Sequence, residues 1–168
     1  VYGEGHSEKI IGSMWNDVSR DDIFLASKVG WDMGPHSHWY HPKYMKIKME
    51  KSIKNLKTDY VDLMYLHHCN FGKNNEYLDD AAEAIYRFKE EGKTKFIGLS
   101  DWSSTKIMQY IKKCDPDLIQ PYRNVMDDDY KASGLQKQVD ENNLGVCFFS
   151  PLKHGLLTGK YNSPPVFE

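Results

Sequence analysis

The sequence predicts an α/β domain built around a parallel sheet, and three observations carry that expectation. Five short apolar runs, rich in β-branched and aromatic residues, stand at 23–29 (IFLASKV), 61–66 (VDLMYL), 96–99 (FIGL), 118–122 (LIQPY) and 146–149 (VCFF). Their near-continuous hydrophobicity is that of strands covered on both faces. Amphipathic helical patterns alternate strictly with them, and such alternation needs crossovers that return the chain to the same end of one sheet. A doubly wound open sheet and a (β/α)₈ barrel both meet that description. No G-x-G-x-x-G follows any strand, which counts against a dinucleotide-binding doubly wound fold.

The elements follow in order. Ser7 is placed to cap a first helix that buries Ile10, Ile11, Met14 and Val18. After the first strand, Met45, Met49, Ser52, Ile53 and Leu56 recur at helical spacing among lysines, and after the second Leu78, Ala81, Ala82, Ile85 and Phe88 do so. Gly92 stands where a helix C′ residue belongs. Ser103 or Ser104 can cap a helix carrying Ile107, Met108 and Ile111, and Ser133-Gly134 opens a weaker one through Leu135 and Val139. "YGEGHSE" near the amino end has no strand before it in the chain, so it does not read as a phosphate loop.

The bulk numbers fit one domain over residues 1–168, with 40% hydrophobic and 27% charged residues. A formal charge of −2, with lysines dispersed among acids, gives no field suited to nucleic acid. Cys69, Cys114 and Cys147 are odd in number and far apart, which suits a reducing compartment. With no apolar run of membrane-spanning length and no signal-peptide layout at the amino end, the expected location is cytoplasmic.

In a barrel of this kind chemistry sits where strands end. Those ends are Lys28 in "ASKVGW", His67 in "YLHHCN", Ser100-Asp101 in "IGLSDW", Gln120 in "LIQPYRN" and Phe149-Ser150 in "FFSPLKHG". Each has an ordinary reading: Lys28 can snorkel, His67 can be a hydrogen-bonded core histidine, and Phe149 can be core. Five polar endings in five strands suggest one shared site. Adjacent residues of a strand face opposite ways, so His67 and His68 share a site only if the strand has already broken.

Six segments, "YGEGHSE", "IFLASKVGW", "LKTDYVDLMYLHH", "EEGKTKFIGLSDW", "IQPYRNVMD" and "FFSPLKHGLLTGKY", taken in that order, resemble the aldo-keto reductases, NADPH-dependent carbonyl reductases on a (β/α)₈ barrel. The resemblance implies that Tyr2 is the catalytic phenol, Lys28 the cation beside it and His67 the histidine ending the fourth strand of the family's barrel. It implies that Ser100, Asp101 and Gln120 hold the nicotinamide carboxamide, although many relatives carry asparagine where Asp101 stands. Phe149 matches the aromatic that stacks on the nicotinamide ring, and Ser150, Leu152 and His154 lie on the loop that meets the pyrophosphate. Trp31, His68 and Trp102 are the implied substrate pocket. The partners implied are NADPH or NADP and a small carbonyl substrate, with neither nucleic acid nor membrane.

The resemblance also implies a carboxylate a few residues before the tyrosine, which would precede Val1, and it makes this chain a partial barrel of about strands three to seven. A (β/α)₈ domain typically takes about 250 residues. The 23–29 and 146–149 strands are then unpaired edges, which invite self-association, and the chain alone is expected to bind NADPH weakly and turn over poorly.

Two other readings stand beside this one. A non-catalytic, cofactor-binding regulatory subunit like the potassium-channel β-subunits shares the barrel. A zinc hydrolase would draw on His36, His38 and His41 of "PHSHWYH" or on "HHC", although a loop of Gly, Pro and Ser more ordinarily holds solvated histidines and no metal site is assigned. The acidic run Asp127-Asp128-Asp129 reads as a solvated loop or helix-start cluster.

Overall fold

The structure is a computed structural model that describes residues 3–161 and 163. Five parallel strands, β1 (Ala26–Val29), β2 (Val61–Leu66), β3 (Thr94–Asp101), β4 (Leu118–Pro121) and β5 (Gly145–Val146), lie in that same order across one sheet. Each crossover therefore moves one place in the same direction. A doubly wound sheet reverses direction at a switch point; this one does not, so it is an arc of a singly wound barrel.

Helices fill the crossovers: α1 (His6–Gly12) before β1, α2 (Pro42–Leu56), α3 (Leu78–Glu90), α4 (Ser104–Cys114), and the pair α5 (Asp129–Ala132) and α6 (Leu135–Asn142). Pro42 at the first turn of α2 supplies a preset φ where no backbone donor is needed. Ser103 caps α4 by accepting the Lys106 N–H at 3.3 Å, and Ser133 Oγ accepts the Leu135 N–H at the start of α6. Ser7 does not cap α1. That helix begins at His6, and Gly5 holds the capping position at φ 94°, a left-handed turn that glycine enters without steric cost. The acidic run is the helix-start cluster that opens α5, and two of its members are engaged inward. Asp128 pairs with Arg123, and Asp129 accepts the Ser104 N–H.

Parallel register sorts the strand side chains onto two faces. Val29, Met64, Leu66, Ile97, Leu99 and Ile119 point to the helices and pack with Met45, Met49, Ile85, Phe88 and Ile107 in one buried core. Burying each of these side chains contributes about 2 kcal/mol before chain entropy is charged against it. Lys28 pairs in register with Tyr65, Tyr65 with Gly98, and Ser100 with Gln120, so these residues share the opposite, concave face. The Tyr65 ring lies against Gly98; a Cβ there would stand 2.4 Å from Tyr65 Cδ1.

The fully buried interior strand β2 begins and ends where its apolar run does. The edges are shorter than the apolar runs suggest. β1 starts at Ala26 because the Leu25 carbonyl accepts both the Asp62 and Leu63 N–H groups, a local irregularity that breaks the ladder. β5 is regular only at Gly145–Val146, yet the Cys147 and Phe149 N–H groups still donate to Ile119 and Pro121. Among the described residues no helix is long and apolar enough to cross a membrane.

Candidate active site

At the carboxyl end of β2 the regular ladder stops and three consecutive residues are held separately. The His67 N–H donates to the Val29 carbonyl at 2.9 Å, the His68 N–H to the Tyr40 hydroxyl at 3.0 Å, and the Cys69 N–H to Asp101 Oδ2 at 2.8 Å. Strand alternation no longer applies there. The imidazoles of His67 and His68 consequently lie face to face, with ring centroids 4.7 Å apart and planes 4° from parallel. Trp31, 50% exposed, rests on both rings at 5.1 and 4.9 Å.

A cavity of about 980 Å³ opens beside this cluster and runs along the free side of β1 between α1 and α2. Its wall takes in Lys28, Trp31, Tyr65, His67 and Gln120. His67 is 8% exposed, and burial, with the nearby Lys28 ammonium and His68, pushes its pKa down to about 3. It is neutral at physiological pH, with one ring N–H to donate and one nitrogen to accept. Burial also lowers His68, outweighing the opposite pull of Asp101.

The residues expected to hold a nicotinamide divide into two groups. Ser100 and Gln120 share the concave face, Ser100 is buried, and the Gln120 Oε1 is buried without a partner among the described residues, while its Nε2 lies 3.8 Å from Cys147 Sγ. An orphaned amide oxygen is an acceptor left over for an N–H, so Gln120 fits a carboxamide ligand. Asp101 is committed to the protein. Its two oxygens accept the Cys69 and Ser103 N–H groups at 2.8 and 2.9 Å, tying the end of β2 to the start of α4.

Phe149 stands edge-on to Trp102 at 4.9 Å and to Tyr122 at 5.5 Å. His154 lies parallel to Trp102, with centroids 5.8 Å apart. Ser150 and His154 take left-handed φ values of 61° and 54°, so the chain around Leu152 turns sharply over this aromatic group. Trp102 thus belongs with Phe149 and His154, whereas Trp31 and His68 stand with His67. Tyr2 lies outside the described residues.

Two residues of the site are not marked by the polar strand endings. Tyr65 lines the cavity with a buried hydroxyl that has no hydrogen-bond partner among the described residues, and its position two before His67 on a strand is the available clue. Tyr40 comes from a loop with no periodicity to flag it. The histidines of "PHSHWYH" separate into two stacks. His36 lies on His41 at 4.2 Å, while His38 lies on Tyr77 at 4.5 Å and accepts the Tyr40 N–H. Among the described residues no group of three or more His, Cys, Asp or Glu is arranged to hold a metal ion.

A singly wound β/α arc with polar residues gathered where its strands end belongs to the β/α-barrel class. The chain belongs to the aldo/keto reductase family, whose model matches residues 1–167. It is 30% identical over 167 residues to an L-glyceraldehyde 3-phosphate reductase of Escherichia coli, covering 94% of this chain and 47% of that protein. It is 29% identical to an aldo-keto reductase [NADP(+)] of Schizosaccharomyces pombe, covering 99% of this chain and 50% of that one. An aldo-keto reductase from Bacillus halodurans in its holo form superposes with a TM-score of 0.81 at 27% identity, over 98% of this chain and 54% of the other. The chain spans about half the length of the curated relatives it matches.

Proposed function

We propose that this chain supplies the catalytic face of an oxidoreductase that reduces an aldehyde or ketone with NADPH. The observation that carries the reading is the convergence of Lys28, His67 and Gln120 on one cavity at the carboxyl ends of three strands. Membership of the family supports the reaction class.

Reducing a carbonyl adds a hydride to carbon and a proton to oxygen, and NADPH supplies the hydride when bound. Ser100 and Gln120 would hold its carboxamide, and Phe149 offers a flat apolar face for its ring. The protein must then orient the carbonyl and deliver the proton. His67, neutral because it is buried, donates its ring N–H to the carbonyl oxygen and fixes the angle at which the carbon is presented. A histidine held near a pKa of 3 is a poor proton source at neutral pH, so the acid is another group. Tyr2 takes that role in this reading. An ammonium within hydrogen-bond range favours the phenolate and eases proton release, which is the part of Lys28. Trp31 and His68 form the wall against which the substrate lies, and Trp102 closes the cofactor side.

The test is titration of the purified chain with NADPH followed by addition of assorted aldehydes. Slow NADPH oxidation, saturable in aldehyde and lost in Lys28→Met, supports the reading. No NADPH binding, or oxidation indifferent to aldehyde, overturns it.

A further inference from the structure

We propose that Tyr40 is a positioning residue for His67, holding the broken end of β2 against the end of β1 so that the imidazole stays aligned over the cavity. This rests on the reading of His67 given above and adds a residue from outside the strand ends.

Tyr40 is 0% exposed, and its hydroxyl makes two hydrogen bonds to one residue. It accepts the His68 N–H at 3.0 Å and donates to the His68 carbonyl at 2.5 Å. Those two groups belong to consecutive peptide units, one on each side of His68. Both lie just past the last ladder residue, where β1 offers only the bond from His67 N–H to the Val29 carbonyl. A tyrosine hydroxyl has one donor and two acceptor sites, so a single atom replaces the ladder for both peptides. Burial keeps this phenol protonated, its pKa pushed well above the ordinary value, so the donating bond persists at any pH the fold tolerates.

The same ring lies against Gly30, the first residue after β1. Gly30, two residues after Lys28, has φ 98°, and a Cβ there would lie 2.2 Å from Tyr40 Cε1. Phe71 stacks on the ring at 5.1 Å, and the Tyr40 N–H donates to His38 Nδ1 at 3.1 Å. The ring is thereby held by packing against Gly30 and Phe71 as well as by its hydroxyl. Tyr40 joins the segment that carries Lys28 to the segment that carries His67, and the near-parallel stack of His67 on His68 is the geometry that results.

Tyr40→Phe keeps the ring and its packing and removes only the two hydrogen bonds. Imidazole resonances of the purified chain, assigned with His67→Gln and His68→Gln, report the consequence without cofactor or substrate. In the parent, His67 should stay neutral down to about pH 4, given its pKa of about 3. In Tyr40→Phe the freed segment admits water, and the His67 midpoint should rise by about one pH unit or more. Where the parent oxidises NADPH with aldehyde, kcat/KM for the aldehyde should fall by about tenfold or more with NADPH affinity unchanged. A His67 midpoint in Tyr40→Phe equal to the parent's overturns the proposal. Should Tyr40→Phe not fold, amide hydrogen exchange of the parent decides: the His68 N–H, bonded to the Tyr40 hydroxyl, should be protected as well as the amides of β2, and fast exchange there overturns the proposal. A parent that reduces no carbonyl sinks the proposed function, while the titration still judges the clamp.

Discussion

The imidazoles of His67 and His68 lie parallel and 4.7 Å apart although their residues are adjacent in sequence. That arrangement is available only because β2 ends at Leu66 and the His68 and Cys69 N–H groups bond to the Tyr40 hydroxyl and the Asp101 carboxylate instead of to strand backbone. It also sets a pH dependence. The folded pKa of His67 is near 3 against an ordinary 6.5, so the unfolded chain binds a proton that the folded chain refuses. The stability contributed is complete above pH 6.5 and is lost progressively as pH falls towards 3. Urea midpoints should therefore drop on acidification, and His67→Gln should flatten part of that slope. An unchanged slope in His67→Gln would show that His67 protonates freely in the folded state.

Asp62 is the one charge inside the β2 run, and it faces the outer layer. Its carboxylate accepts from Arg20 and Lys95 at 2.8 Å each and from the Leu25 N–H at 2.9 Å. Burial alone would raise its pKa, but these bonds outweigh burial and lower it. Asp62→Ala leaves the largely buried Arg20 guanidinium short of its anion and should cost about 3 kcal/mol by urea denaturation. The contribution is present above the ordinary carboxylate value of 3.8 and disappears as pH falls below it through the folded value. In Asp62→Ala this part of the acid lability should be missing.

Tyr65 carries a buried hydroxyl without a partner among the described residues. Leaving such a group unpaired costs about 1–3 kcal/mol, so Tyr65→Phe should raise thermal stability by about 1 kcal/mol. Loss of stability instead would reveal a bond the hydroxyl makes. Gly98→Ala tests the same contact from the other strand. Its Cβ would meet Tyr65 Cδ1 at 2.4 Å and the Leu118 carbonyl oxygen at 2.9 Å, and the expected loss is about 2 kcal/mol. Measured in a Tyr65→Ala background, Gly98→Ala should cost less than that but not nothing, because the carbonyl contact remains.

The parts of the fold legible in the sequence are those dictated by burial. The β2 run matches its strand from Val61 to Leu66 because both of its faces are covered. Residues 23–25 and 147–148 read as strand but are not, and Phe149 keeps only an isolated parallel bridge to Tyr122, since edge strands lack the second neighbour that would hold them regular. Ser7 reads as a cap because serine is a good one, while the chain uses the left-handed reach of Gly5. Lys28, His67 and Gln120 are legible as polar breaks in apolar runs. The engagement of Asp101 by two backbone donors is not, because it depends on where the ends of β2 and α4 meet in space. The separation of Trp102 from Trp31 is hidden for the same reason, and Tyr40 sits in a loop whose sequence has no period.

The most direct measurement follows the hydride itself. The chain is incubated with an aldehyde and NADPH carrying deuterium at both positions of its reducing carbon, and the alcohol is analysed by mass spectrometry. Expected is one deuterium on the carbinol carbon with the parent chain, and product formation lower by about 100-fold in His67→Ala. Alcohol without deuterium, or formed equally fast by His67→Ala, would contradict carbonyl reduction at this cavity.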